Sequence, residues 1–178
     1  MILPEEAVVI VPYDPSWKSA YASESALLQQ VFSETNATIE HVGSTAVEEL
    51  GSKPTIDIML GLDSLADLPQ RIEGIEELGY GYMPDYELET PERRFFRKPR
   101  IGERRYHLHC VCKDTDFYRD HIIFRDYLRF NADAAREYLA LKESLVSRLG
   151  HDRKSYTDGK TNFIHQILAR AKQDSLVL

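Results

Sequence analysis

Basic side chains are scarce in the first half of this sequence. Residues 1–90 hold three Lys or Arg against 17 Asp or Glu, so no polybasic arm for nucleic acid or membrane surfaces exists there. Cysteine is scarce too. Cys110 and Cys112 are the two in the chain, and one intervening residue suits neither an ordinary structural disulfide nor a zinc knuckle. Long apolar runs are missing: nothing approaches the roughly 18 consecutive apolar residues that a membrane span needs. The first apolar stretch, Ala7 to Val11, is short, follows Glu5 and Glu6, and has no basic n-region ahead of it. No secretory leader is expected, and the cytoplasm is the expected location. Repeats, low-complexity tracts and clear linkers are also absent, so a chain of 178 residues is expected to be one domain.

What is present is an ordinary globular composition with an uneven charge map. The net charge of -7 argues against nonspecific binding to nucleic acid. Residues 91–178 carry 19 basic against 12 acidic side chains, so the two halves balance at -14 and +7. An acidic half and a basic half in one domain suit a ligand that brings both phosphates and a cation. Uneven surface decoration would give the same split.

The periodicity predicts an α+β (mixed α/β) fold, with strands crowded into the first two-thirds and a helical C-terminal part. Strands are expected at Ala7–Val11, Ala37–Val42, Thr55–Leu62, Arg93–Lys98 and Arg104–Cys112, the last two forming a hairpin that turns near Pro99–Gly102. Asp14-Pro15 should open a helix that runs to about Phe32, because Trp17, Tyr21, Leu28 and Phe32 recur at helical spacing. Thr45 and Glu48 fit a capping box for a short helix. A second helix is expected from Leu68 to Leu78, with Gly79 as its C-terminal cap. Three more are expected at Phe117–Phe130, Asp133–Leu149 and Asp158–Lys172.

Asp57 is the first residue with chemistry. It interrupts the run Ile56 to Leu60, where a buried carboxylate must be paired, hydrogen-bonded or metal-bound. Gly43-Ser44-Thr45 ends one strand and opens a helical turn, an arrangement that presents backbone N–H groups and a hydroxyl to a phosphate. The segment Arg93 to Arg105 holds seven basic residues, with Arg93, Phe95 and Arg97 on one strand face and Arg94, Phe96 and Lys98 on the other. His107 and His109 share a face and could ligate a metal or bond a phosphate, or one could pack while the other is solvated. Cys110 and Cys112 are expected to face the core. Arg125 and Arg129 lie one helical turn apart, and Lys142 and Lys160 are further candidates for a phosphate. Gly159-Lys160-Thr161 is not a P-loop, because the upstream glycine and strand are missing. His121, His151 and His165 have no visible constellation.

The blocks His41-Val42-Gly43-Ser44-Thr45-Ala46-Val47 and Lys53-Pro54-Thr55-Ile56-Asp57-Ile58 resemble the signature of the GrpB family. So do Arg94-Phe95-Phe96, His107-Leu108-His109, the run from Phe124 to Arg129, and the spacing of Tyr138, Leu141-Lys142, Tyr156, Lys160 and Phe163. The resemblance spans about residues 8–170. That family is similar in turn to the nucleotidyltransferase superfamily, in which a Gly-Ser turn precedes a strand with two acids at alternate positions.

The resemblance implies in-line attack on a nucleoside triphosphate with two magnesium ions on three carboxylates. Gly43 and Ser44 would meet the triphosphate, and Asp57 would be the first metal carboxylate. His41, Thr45, Lys53, Arg94, Arg125, Lys142 and Lys160 would complete the surroundings of a nucleotide or small phosphorylated ligand. Asp57, His107 and His109 would carry catalysis, with a divalent metal, magnesium or manganese, on Asp57 and His109. This sequence departs from the pattern at Met59, which stands where the second acid belongs. Asp57 with His109 or His107 would better suit one softer ion, such as manganese or zinc. Three activities follow as expectations: a nucleotidyltransferase-like transferase, a noncatalytic nucleotide-binding module, or a metal-dependent phosphohydrolase.

Overall fold

A computed structural model describes residues 7–99 and 105–174. Arg100, Arg104 and most of the expected hairpin turn lie outside those residues. Asp14 opens the first helix, α1 (Ser16–Val31), by accepting the Ser16 N–H at 2.8 Å. Five strands follow: β1 (Thr38–Val42), β2 (Ile56–Leu62), β3 (Gly81–Tyr82), β4 (Arg93–Lys98) and β5 (Tyr106–Cys112). They form one sheet in the order β1-β2-β5-β4-β3. β2 and β5 run parallel, and the other pairs are antiparallel.

The apolar run in β2 is explained by this place: it lies between two strands and is covered on both sides. Ile56, Ile58, Leu60 and Leu62 point to the main core with Leu108 and Cys110 of β5, Phe96 of β4, and Leu28 and Phe32 of α1. Met59, Val42 and Val111 point the other way and pack under Phe117, Tyr118 and Ile122. Those three belong to α3 (Asp116–Phe130), capped by Thr115. Helices α4 (Ala132–Leu149), α5 (Arg153–Asp158) and α6 (Thr161–Asp174) complete the C-terminal part. Tyr127, Leu128, Tyr138 and Ile167 bind these helices to Val47 and Leu50 in a separate apolar cluster.

Four expectations are corrected by the structure. Ala7–Val11 is no strand: Val11 exchanges two 2.9 Å bonds with Ser52, while the Val8 N–H goes to the Gly150 carbonyl. Val8 is buried against Leu145 and Tyr156, so its apolar side serves the helices and not the sheet. The capping box at Thr45 and Glu48 does not form. Residues Ser44–Ala46 make one 3-10 turn, Thr45 bonds His41 and Thr55, and Glu48 pairs with Lys18. In place of the expected second helix the chain makes one 3-10 turn that starts at Pro69, followed by α2 (Ile72–Glu77). The last expected helix starts three residues late, as α6, because the chain turns at Gly159-Lys160, and the short α5 before it was not expected.

Candidate functional site

Sheet register gathers the site. Val42, Asp57, His107 and Arg97 lie in one row across β1, β2, β5 and β4. Glu40, Met59, His109 and Phe95 form the row two residues further along. Both rows face α3. The β1–β2 connection then bends the Gly43 turn over the carboxylate. At Gly43 the backbone takes φ +72° and ψ -174°, and a Cβ there would lie 2.6 Å from Asp57 Oδ2. Only glycine lets the turn approach so closely.

Asp57 Oδ1 receives two imidazoles. His107 Nδ1 stands 3.0 Å away and His109 Nε2 3.6 Å away. The Asp57 side chain keeps 30% exposure, against 13% and 12% for the histidines, so the cluster opens to solvent through the carboxylate. Burial lowers the pKa of both imidazoles below the ordinary histidine value, against the raising effect of Asp57. Burial acts to raise Asp57, but the hydrogen bonds from His107 and His109 hold its carboxyl well below the usual carboxylate range. At neutral pH the site is therefore one carboxylate with two neutral imidazoles. His107 Nε2 is buried and has no hydrogen-bond partner among the described residues.

Cations lie near this cluster. Lys53 and Arg153 act electrostatically on His107, and Asp57 acts on Lys160. Arg97 faces His107 across the strand pair. Arg93 sits over the Phe95 ring at 5.0 Å and the Phe117 ring at 5.7 Å, with Nη1 3.4 Å from His109 Nδ1. His121 stacks on Phe117 at 4.3 Å, and its ring lies 6.4 Å from that of His109.

The expected residues thus divide into groups. Gly43, Ser44, Lys53, Asp57, His107, His109 and Lys160 are brought together. His41 and Thr45 brace the turn from behind. His41 stacks on Tyr21 at 4.6 Å, its Nε2 is 3.0 Å from Thr45 Oγ1, and burial takes its pKa down to about 4. Three residues are not brought to the site. Arg94 lies on the opposite face of the sheet and pairs with Glu87 at 3.2 Å. Arg125 is buried, donating to Glu40, the His41 carbonyl and Asp126. Lys142 is buried with Nζ donating to the Gly51 carbonyl at 2.5 Å and lying 4.9 Å from the centre of the Tyr138 ring.

Arg93 and Arg97, expected on one face of a basic strand but not among the site residues, join the site, and so do Arg153 and Tyr138, whose hydroxyl bonds Ser44. Matching the parity of β4 to that of the histidine strand is the signal that would have found Arg93 and Arg97.

A mixed five-stranded sheet with a Gly-Ser turn over a strand carboxylate defines a nucleotidyltransferase-like fold. Crystal structures of the Cid1 poly(U) polymerase share it: one, with magnesium and 3'-dATP bound, superimposes with a TM-score of 0.52 at 12% identity. That match covers 78% of this chain and 44% of the other and shows the fold alone. Within this class the chain belongs to the GrpB family, whose model, described as GrpB protein, matches residues 7–170. The glutamate-rich protein GrpB of Alkalihalophilus pseudofirmus is 32% identical over 164 residues, covering 90% of this chain and 94% of that one. The crystal structure of conserved protein GrpB from Enterococcus faecalis aligns with a TM-score of 0.84 at 30% identity, covering 94% and 99% of the two chains. Among the described residues no helix is long and apolar enough to cross a membrane.

The residues do not fit the superfamily's two magnesium ions. Magnesium takes oxygen ligands in near-octahedral order, and Asp57 is the one carboxylate in the cluster of Asp57, His107 and His109. Met59, at the alternate position, has no exposure and packs in apolar surroundings.

Proposed function

We propose that this protein binds a nucleotide or small phosphorylated metabolite, as a nucleotidyltransferase-like protein, with the phosphates against the Gly43–Ser44 turn beside Asp57. One observation carries this reading: a single carboxylate lies under a helical turn, it acts on Lys160, and its partner His107 feels Lys53 and Arg153 and pairs in register with Arg97. The opening N–H groups of such a turn have no partner within it, and the surplus of positive charge suits an anion. As a transferase, the site would hold the phosphates in line with a small acceptor. Lys160 and the neighbouring arginines would then offset the charge that develops on the transferred group. A divalent metal at Asp57 belongs to the same reading.

The buried Met59 favours a second reading: a noncatalytic module that binds the same ligand. One experiment separates them. The purified chain is melted with nucleotides and coenzyme precursors, with EDTA or manganese, and each mixture is assayed for product and pyrophosphate. A ligand at 100 times its Kd stabilises the fold by about 2.7 kcal/mol. The transferase reading expects a metal-dependent shift with product, and loss of product in Asp57→Asn without loss of fold. Full activity in Asp57→Asn would sink it. A saturable, metal-independent shift with no product leaves the binding module standing. No shift with any phosphorylated compound removes both readings.

A further inference from the structure

We propose that Asp57, His107 and His109 form a three-ligand site for a single zinc ion, in place of the magnesium pair that the fold implies. The inference refines the metal part of the function proposed above and rests on that reading for its role. The binding itself can be tested with no phosphorylated ligand present.

Ligand spacing is the first support. Zinc–nitrogen and zinc–oxygen bonds of about 2.0–2.2 Å at tetrahedral to right angles put neighbouring donor atoms about 3.0–3.5 Å apart. The donors here are already near that spacing. His107 Nδ1 lies 3.0 Å and His109 Nε2 3.6 Å from Asp57 Oδ1, and one donor atom from each residue falls within 4.8 Å of the others. Asp57 Oδ2 is turned toward the Gly43 turn, where a Cβ would come within 2.6 Å of it. The carboxylate thus offers Oδ1 to the ion and acts through one oxygen.

Donor chemistry is the second. Two imidazoles and one carboxylate suit zinc and its neighbours in the first transition row, whereas magnesium and calcium prefer oxygen alone. Three protein ligands leave a further coordination position open, the arrangement of sites that bind an exchangeable group. That position is where a phosphate oxygen or a water would enter.

Room for one ion only is the third. A second ion would need donors at the position of Met59, which is apolar and has no exposure. On the far side of His109, Arg93 holds a fixed positive charge between Phe95 and Phe117. Packing at Met59 thus leaves a second ion without the donor that the superfamily places there.

The untagged 178-residue chain is stripped with chelator, loaded with zinc or cobalt, and passed through a desalting column. Metal analysis should give about one ion per chain, and a millimolar excess of magnesium should not displace it. Asp57→Asn, His107→Gln and His109→Gln should each weaken binding by at least about tenfold. The wild-type chain supplies an independent readout. Zinc should shift the ring resonances of His107 and His109, and bound cobalt should show no thiolate charge-transfer band. Much less than one ion per chain, displacement by magnesium, unshifted histidine rings, or a thiolate band pointing to Cys112 would each overturn the proposal. If zinc binds but no phosphorylated compound shifts the melting curve, the site stands and the phosphate reading fails. If phosphates bind equally in EDTA and zinc does not bind, the reverse holds.

Discussion

Gly43 shows how much of the site depends on one missing side chain. Its φ of +72° with ψ near 180° is open to essentially no other residue, and an added methyl would meet Asp57 Oδ2. Gly43→Ala should therefore cost about 1–3 kcal/mol of stability, read by urea unfolding. It should also push the carboxylate away from the two imidazoles and reduce any metal- or nucleotide-induced rise in melting temperature. Gly79→Ala is the matched control. Its φ is +92°, yet a Cβ there would meet only the Lys98 side chain, at 3.5 Å. Its positive φ should also cost stability, and the ligand response should be unchanged. If both variants lower the ligand response equally, the close approach of turn and carboxylate has no role of its own.

Among the elements, β2 carries both the core and the chemistry, and Met59 tests how these are divided. Met59→Asp would restore the alternating acids of the superfamily, but the new carboxylate would lie in the apolar layer between β2 and α3, beside Val42 and Val111. The expected outcome is a loss of roughly 2–7 kcal/mol, seen as a large drop in melting temperature, with no magnesium binding gained. Met59→Leu keeps the volume and should cost less than about 1.5 kcal/mol. A Met59→Asp variant that melts like the wild type and takes up magnesium would reinstate the two-ion site.

The same element-level view explains what the sequence made legible. β2, β5, α1, α3 and α4 lie close to their expected places, because each carries its own period-2, continuous or helical apolar pattern. The grouping of Asp57, His107 and Gly43 also followed, since strand alternation and a Gly-Ser turn are local signals. Non-local choices were not legible. Val8 could have faced a sheet or a helix, and only the Gly150 carbonyl at the end of α4 decides it. Whether Arg94 or its neighbours Arg93 and Arg97 face the histidines depends on the β4–β5 register, and one residue of slip exchanges the two faces. Arg125 reads as a free cation in sequence, because nothing local reveals that Glu40 and Asp126 will claim it.

At the scale of the whole molecule, Lys142 ties the C-terminal helices to the sheet-bearing half. From α4 it reaches the Gly51 carbonyl between β1 and β2 while burying its ammonium beside Tyr138. Burial, aided by repulsion from Lys160, pulls its pKa down from 10.5 to about 7. Burial also lowers Lys160, so it acts in the same sense. Between about pH 7 and 10.5 the unfolded chain binds the Lys142 proton and the folded chain has released it. Stability must therefore rise with pH across that window, at up to about 1.4 kcal/mol per pH unit for one proton. Below pH 7 both states hold the proton, and Lys142 contributes no slope. The measurement is urea unfolding from pH 7 to about 9, where lysines in the unfolded chain keep their protons and its tyrosines, with an ordinary pKa near 10, barely ionise. The wild type should gain stability over this range. Lys142→Met should flatten most of the gain, leaving the smaller part due to Lys160. Identical slopes in the two proteins would mean that the Lys142 ammonium stays charged in the folded state. The Gly51 carbonyl and the Tyr138 ring would then suffice to hold a full charge at the joint between the two halves.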